Sequence, residues 1–352
     1  MKKLITFGVI LLFLGSSIPI LAQSDKSNLV SLSDRHILYV GGSGPGNFST
    51  IQEAMANASN GDTIIVYPGI YGTLTITKSL HIIGLDKFST VLNGTGLNAH
   101  NAVAINTSDV SLSGFTIQNG GNPDTSAWGS GIDIQHRYNI IVSDCFLKHN
   151  YIGIFLNIVG NVLLENLTFM SKGGAISFWD GEYCTISHCV FNNSGISDNG
   201  FPGSEFGCSL MIRNNVFTNK SGINLGYLCV ASHGNTTIES NVFQGDTCAI
   251  NIDRAEGVNI WKNNFMENVQ NVAIYQEYLI GTNPAVIKQH WLNNYWDDWN
   301  HNRAYAIPGV VRLYIPFLVF YHFQFIWIEL PIFRVHYKEY DPAPAQQPYE
   351  IP

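Results

Sequence analysis

The chain is poor in charge. Asp, Glu, Lys and Arg make up only 12% of its 352 residues, about half of the usual ~25%. Basic residues number 18 against 26 acidic ones, a formal charge of −8, and no Lys/Arg-rich run occurs; that balance argues against a nucleic-acid partner. Methionine is scarce and scattered, at Met55, Met170, Met211 and Met266 beyond the initiator. The histidines form no His-x-His or His-x₃-His pair. No local cluster of soft ligands of the kind copper prefers is therefore present. Helical periodicity is confined to one short segment. What remains is rich in aromatic and β-branched residues, Gly and Asn, a mix that favours strands and tight turns.

The first residues read as a signal peptide over 1–22. Lys2 and Lys3 precede an apolar run from Leu4 to Ile20, and Leu21-Ala22-Gln23 offers cleavage after Ala22. The expected location is extracellular, cell-surface or periplasmic. Eight N-x-S/T triplets, beginning with Asn47 and Asn57, add only weak support, because an Asn-rich chain produces them by chance. Six cysteines are compatible with export and disulfides.

A repeat dominates the sequence: apolar, x, apolar, x, x, small or Asn, x, large apolar. It reads Val110-Ser111-Leu112 to Ile117, Ile140-Ile141-Val142 to Leu147 and Val162-Leu163-Leu164 to Phe169. It continues through Phe191, Phe217, Phe243 and Phe265 and degenerates at Gln289-His290-Trp291 to Trp296. The final positions are spaced 30, 22, 22, 26, 26, 22 and 31 residues apart. A base unit of 22 with insertions fits a coil with variable turns, and the Leu/Asn consensus of leucine-rich repeats is absent. A second strand follows most copies, as in Gly131-Ile132-Asp133-Ile134 and Ala249-Ile250-Asn251-Ile252. Alternation turns the first and third residues of each Ile-x-Ile inward and the middle one outward. The expected fold is all-β: a right-handed parallel β-helix whose coils bury two apolar walls by stacking, with a short N-terminal capping helix.

One column of the repeat holds Phe115, Cys145, Leu167, Cys189, Asn215, Asn241, Asn263 and Asn294. Its four Asn are expected to form a ladder of amides bonded along the axis. Cys145 and Cys189 lie two coils apart, roughly 9–10 Å, beyond the ~7 Å Cα limit of a disulfide. They read as buried thiols. Cys184 and Cys189 are expected to face inward as well.

Residues 34–100 read as an N-terminal cap and first coils, 101–300 as the repeats and 301–352 as an apolar C-terminal cap and tail. Ser49 with Gln52 suggests a capping box, with Ile51, Ala54, Met55 and Ala58 on one apolar face. Thr63 to Tyr67 is expected to begin the first strand. The segment 310–333 is strongly apolar, yet Arg312, Pro316, His322, Gln324, Glu329 and Pro331 count against a clean membrane span. Strands packing on the last coil are favoured, with membrane contact through 310–333 as the alternative.

Tyr39-Val40-Gly41-Gly42, Phe48-Ser49-Thr50-Ile51-Gln52-Glu53-Ala54, Asn60-Gly61-Asp62-Thr63-Ile64 and Pro68-Gly69-Ile70-Tyr71 form a distinctive opening. With Lys78-Ser79-Leu80-His81-Ile82-Ile83-Gly84 and the close Asn294-Tyr295-Trp296-Asp297-Asp298-Trp299, it resembles NosD-like proteins of the pectin-lyase-like β-helix superfamily. The tail from Ala343 to Ile351 is similar to endings in this group. The resemblance covers roughly residues 36–300. It implies a secreted or periplasmic right-handed β-helix. Name-giving members are associated with copper supply to an exported reductase; many relatives are surface proteins without assigned activity.

Three function classes follow: polysaccharide-active enzyme, metal-handling protein, and non-catalytic surface protein that binds carbohydrate. Gly245-Asp246-Thr247-Cys248-Ala249-Ile250 resembles the Gly-Asp-Asp-Cys-x-Ala-Ile element of polygalacturonases, but Thr247 replaces the second Asp and the spacing is one residue shorter. Hydrolysis needs a second carboxylate, and the family's Asn-Thr-Asp, Gly-His-Gly and Arg-Ile-Lys elements are missing. A lyase would use Ca²⁺ on clustered carboxylates with an Arg or Lys base; Asp133 with Arg137, or Asp253 with Arg254, are the weak candidates. No cofactor is predicted, with Ca²⁺ or copper left open. The reading favoured here is binding of glycan or a cell-surface polymer by an outward stripe. Its expected members are Asp133, Phe155, Asn157, Trp179, Asp180, Asn224, Tyr227, Asn251, Asp253 and Tyr275, flanked by Gln135, Ser177 and Tyr278. Exposed aromatics among amides and carboxylates suit sugar rings, which present apolar faces and hydroxyls.

Overall fold

The computed structural model describes residues 36–351, except 96–100, 122–128, 199–208, 227–235, 254–256, 280–287, 302 and 322–323, and gives only the backbone over 277–279 and 313–333. The signal-peptide expectation, Tyr227 and Arg254 lie outside the described residues, as does the side chain of Tyr278. His36–Pro352 form one compact unit.

The chain winds through three sheets as an all-β parallel solenoid. The first runs from strand Ile37–Val40 to His290–Leu292, the second from Gly69–Tyr71 to Tyr295–Trp296, the third from Leu74–Ile76 to Gln324–Asp341. Successive coils pair in parallel, in register: Ile186 with Ile212, Ile212 with Ile238, Ile238 with Ile260. All four isoleucines are buried in one column, as expected.

The repeat itself spans two sheets, so each coil has three apolar walls where the sequence suggested two. Its first apolar pair lies in the first sheet, its last large residue in the second. The bend between them is made by one residue in the left-handed region: Asp144, Asn166, His188, Asn214, Ser240, Lys262 and Asn293 all have φ between 50° and 57°. That conformation reverses the inward–outward alternation for one step, which the strand period alone does not reveal. The next residue in every case is the ladder position.

The ladder forms as expected. The Nδ2 of Asn215, Asn241 and Asn263 each donate at 3.0 Å to Oδ1 of the next Asn. Each Oδ1 also accepts the backbone N–H of the rung before it. Every amide is thereby satisfied in a core where an orphan would cost about 1–3 kcal/mol. Beside the ladder, Phe169, Phe191, Phe217, Phe243, Phe265, Trp296 and Tyr305 stack face to face, centroids 4.1–5.2 Å apart. Cys145, Cys184 and Cys189 are buried and free. Burial pushes each thiol up to about 12.

Both ends are capped. The helix is Ile51–Asn57, and its capping box is Thr50 with Glu53, one residue later than Ser49 with Gln52. Glu53 rather than Gln52 occupies the third helical position and can reach back to the backbone N–H of Thr50. Ile51, Ala54, Met55 and Ala58 form the buried face. The first strand is Ile37–Val40, which precedes the helix and pairs with Thr63–Val66. At the other end, Tyr305–Tyr321 extends the third sheet beside Val272–Leu279 and folds back as Gln324–Asp341. The apolar segment is thus strand throughout its described backbone. Among the described residues, no helix is long and apolar enough to cross a membrane.

Candidate functional site

The outer face of the third sheet carries the stripe. In-register pairing aligns Asp133, Phe155, Ser177, Ser197, Asn224 and Asn251 across successive strands. A second column sets Gln135 beside Asn157, and farther along Asp253 beside Tyr275. Three hollows of about 210, 300 and 520 Å³ run along this face. The first two share Ile152, Phe155 and Trp179; the second and third share Gly173, Gly174 and Ser197. They form one groove over six inter-strand steps from the Asp133 strand to the Tyr275 strand, roughly 29 Å at about 4.8 Å per step.

At one end Asp133 accepts from Asn101 Nδ2 at 2.8 Å and from Gln135 Nε2 at 3.0 Å. Desolvation raises its pKa, opposed by these two bonds. Phe155 and Trp179 meet edge to face beside it, centroids 5.5 Å apart. The middle is floored by small residues, including the buried Ser177. At the far end Asn251 Nδ2 donates to Asn224 Oδ1 at 2.8 Å, and the Arg312 guanidinium lies 4.9 Å from the Tyr275 ring centre. The surface thus offers an aromatic wall, a fixed carboxylate and a row of amides.

Some expected residues stand elsewhere. Asp180 is buried at the corner between the third and first sheets, lining a separate pocket. The strand bends after Phe178, so the residue after Trp179 leaves the face. Asp246 is a rung of a second polar column in the turn between the second and third sheets. Ser221 N–H donates to its Oδ1, and its own N–H donates to Asn268 Oδ1, both at 2.8 Å. These bonds tie Asp246 of the polygalacturonase-like element to the turns of the neighbouring coils. Arg137 Nη1 donates to the His136 carbonyl at 2.8 Å. Asp133 and Asp253 lie five strands apart, roughly 24 Å, whereas paired glycosidase carboxylates stand within about 10 Å.

Asn101, Tyr151, Ser197 and Lys220 line the groove although the sequence did not mark them, and Thr247 and Cys248 of the polygalacturonase-like element line it as well. Ser197 escaped because its strand, Ile196–Asp198, places the buried Asp198 where other coils carry an apolar residue. Asn101 precedes its strand and carries no periodic signal.

Fold and groove together define an all-β parallel solenoid of three sheets with one grooved outer face. The family model described as "Periplasmic copper-binding protein (NosD)" matches residues 55–301, and the chain belongs to that family. Among solved structures, the catalytic domain of a GH87 alpha-1,3-glucanase in complex with nigerose is similar at 12% identity and TM-score 0.51, covering 73% of this chain and 58% of that one. The chain thus spans little more than half of that glucanase domain. An alginate lyase from Paenibacillus sp. is similar at 13% identity and TM-score 0.39, covering 67% of this chain and 97% of that one. The Azotobacter vinelandii mannuronan C-5 epimerase A-module is similar at 12% identity and TM-score 0.46, covering 69% and 70% respectively. Among curated proteins no match was found.

Among the described residues no three His, Cys, Asp or Glu groups converge as a metal site. The buried thiols of Cys145, Cys184 and Cys189 resist forming the thiolate that ligates a metal. Cys208, Cys229 and His233 lie outside the described residues. The described residues do not fit a copper centre, and they do not fit the clustered carboxylates that Ca²⁺ would need.

Proposed function

We propose that this chain is an exported protein that binds an extended glycan along the outer groove of its third sheet, without cleaving it. The observation that carries this reading is the continuity of the groove from the Asp133, Phe155 and Trp179 end to Asn251 and Tyr275. A linear polymer of rings and hydroxyls matches such a surface: apolar ring faces pack on Phe155 and Trp179, and hydroxyls bond the amides and Asp133. The wide separation of Asp133 from Asp253, and the structural role of Asp246, favour binding over hydrolysis. The family's periplasmic description and the basic-apolar start at Lys2 to Ile20 support export.

A glycan array followed by titration calorimetry on the hits, with assays for reducing ends and unsaturated products, tests the reading. The expected result is saturable binding of an oligosaccharide, lost in Trp179→Ala, with no product. Product formation abolished by Asp133→Asn would establish a lyase or hydrolase instead.

A further inference from the structure

A second pocket lies outside the groove and shares no lining residue with it. It occupies the corner between the third and first sheets, encloses about 240 Å³, and is lined by Tyr138, Ile158, Asn161, Asp180, Glu182 and Tyr183, among others. Two tyrosines wall it, exposed at 52% for Tyr138 and 72% for Tyr183. Two carboxylates, Asp180 and Glu182, contribute to its lining, which includes no basic side chain. Gly160 fits the Tyr138 ring closely: a Cβ there would lie 2.5 Å from Tyr138 Cδ1.

Backbone strain gathers at the same place. The corner carries an external column of left-handed residues, Asp109, Asn139, Asn161 and Tyr183, with φ of 58°, 58°, 53° and 56°. Asp and Asn adopt this conformation at low cost, a bulky residue at much more. The first three also bond along the axis: Asn139 Nδ2 donates to Asp109 at 2.8 Å and Asn161 Nδ2 to Asn139 at 2.7 Å. An Asn in the fourth place would extend the column; the chain has Tyr183 there, where that side-chain ladder stops and the pocket opens. Ile158, β-branched and also at positive φ (50°), lines the same pocket. Strained residues persist where the surrounding structure holds them, and they cluster at functional sites.

We infer that this corner pocket binds an amino sugar, one pyranose ring bearing a protonated amine. The tyrosine faces accept both the apolar face of the ring and the cation, and Asp180 with Glu182 pair the ammonium by charge-assisted bonds.

The test is ligand-observed NMR with the full chain at about pH 6, below the titration of an amine near ~7.7, using glucosamine, glucose, N-acetylglucosamine and choline. The expected result is saturable glucosamine binding, with glucose and N-acetylglucosamine at least about tenfold weaker for want of the charge-assisted bond. Choline should also bind more weakly, because it lacks the ring. Tyr183→Asn separates ligand contact from support of the fold. It should abolish glucosamine binding while raising the melting temperature, because it relieves the strain and extends the ladder from Asn161. Glucose binding equal to glucosamine, choline binding equal to glucosamine, or no saturable binding would overturn the inference. So would a lowered melting temperature in Tyr183→Asn, which would make Tyr183 a structural residue.

Discussion

Asn294 donates its side-chain amide to the Asp341 carboxylate at 3.0 Å, and that bond ends the buried ladder. The same carboxylate oxygen accepts the Asn294 backbone N–H at 2.9 Å and Trp296 Nε1 at 3.2 Å. A residue 47 positions downstream therefore closes the open end of the coils. Glu339 does the same one strand over, accepting from Trp291 Nε1 at 2.6 Å.

Asp341→Ala should destabilise the protein by at least about 3 kcal/mol, because three buried donors lose their acceptor. Asp341→Asn, which keeps an acceptor oxygen, should cost less. Chemical denaturation measures the difference, and hydrogen exchange should show the loss of protection beginning at Asn294. Equal stability of Asp341→Ala and wild type would remove the capping role.

Ile212→Ala should cost about 2–5 kcal/mol, the range for cavities in a packed core. Ile212 is fully buried between the registered Ile186 and Ile238. Denaturant titration gives the value, and a change under about 1 kcal/mol would be incompatible with an inward column.

Cys145, Cys184 and Cys189 should be inert to thiol reagents at pH 8 in the native protein and react on unfolding. Burial holds each thiol near 12, far above that pH. Mass mapping of a disulfide between Cys145 and Cys189 would contradict the free buried state.

Asp246 should make stability depend on pH. Burial pushes its carboxyl up to about 6, against backbone bonds from Ser221 and Lys220, whereas an unfolded Asp titrates near ~3.9. The folded state binds the extra proton between those values, so stability falls as pH rises through this window and stays lower above it. Asp246→Asn keeps the acceptor for Ser221 and carries no charge. Its melting temperature should match wild type near pH 4 and exceed it at pH 7.

The coils were legible in the sequence because each rung repeats the same chemistry: the Ile186 to Ile260 column, the four ladder Asn and the Phe stack were all set by period. The third wall was not, because a left-handed residue such as His188 or Lys262 bends the chain without any compositional mark. The helix cap was misplaced by one residue, since Ser49 and Thr50 are equally good caps until Glu53 closes the box. Within the groove, Asp133 and Trp179 could be picked out by alternation. Asn101 and Ser197 could not, for one lies before its strand and the other beside an inward Asp198. Asp180 shows the converse limit: alternation stops being informative where a strand bends.

The most direct measurement is calorimetric titration of the array-selected oligosaccharide into wild type, Trp179→Ala and Asn251→Ala, which sit toward opposite ends of the groove. The expected result is weaker binding in both variants, with the loss growing as the oligosaccharide lengthens enough to reach both ends. Unchanged affinity in both variants, or loss in one that does not depend on ligand length, would contradict binding along the groove.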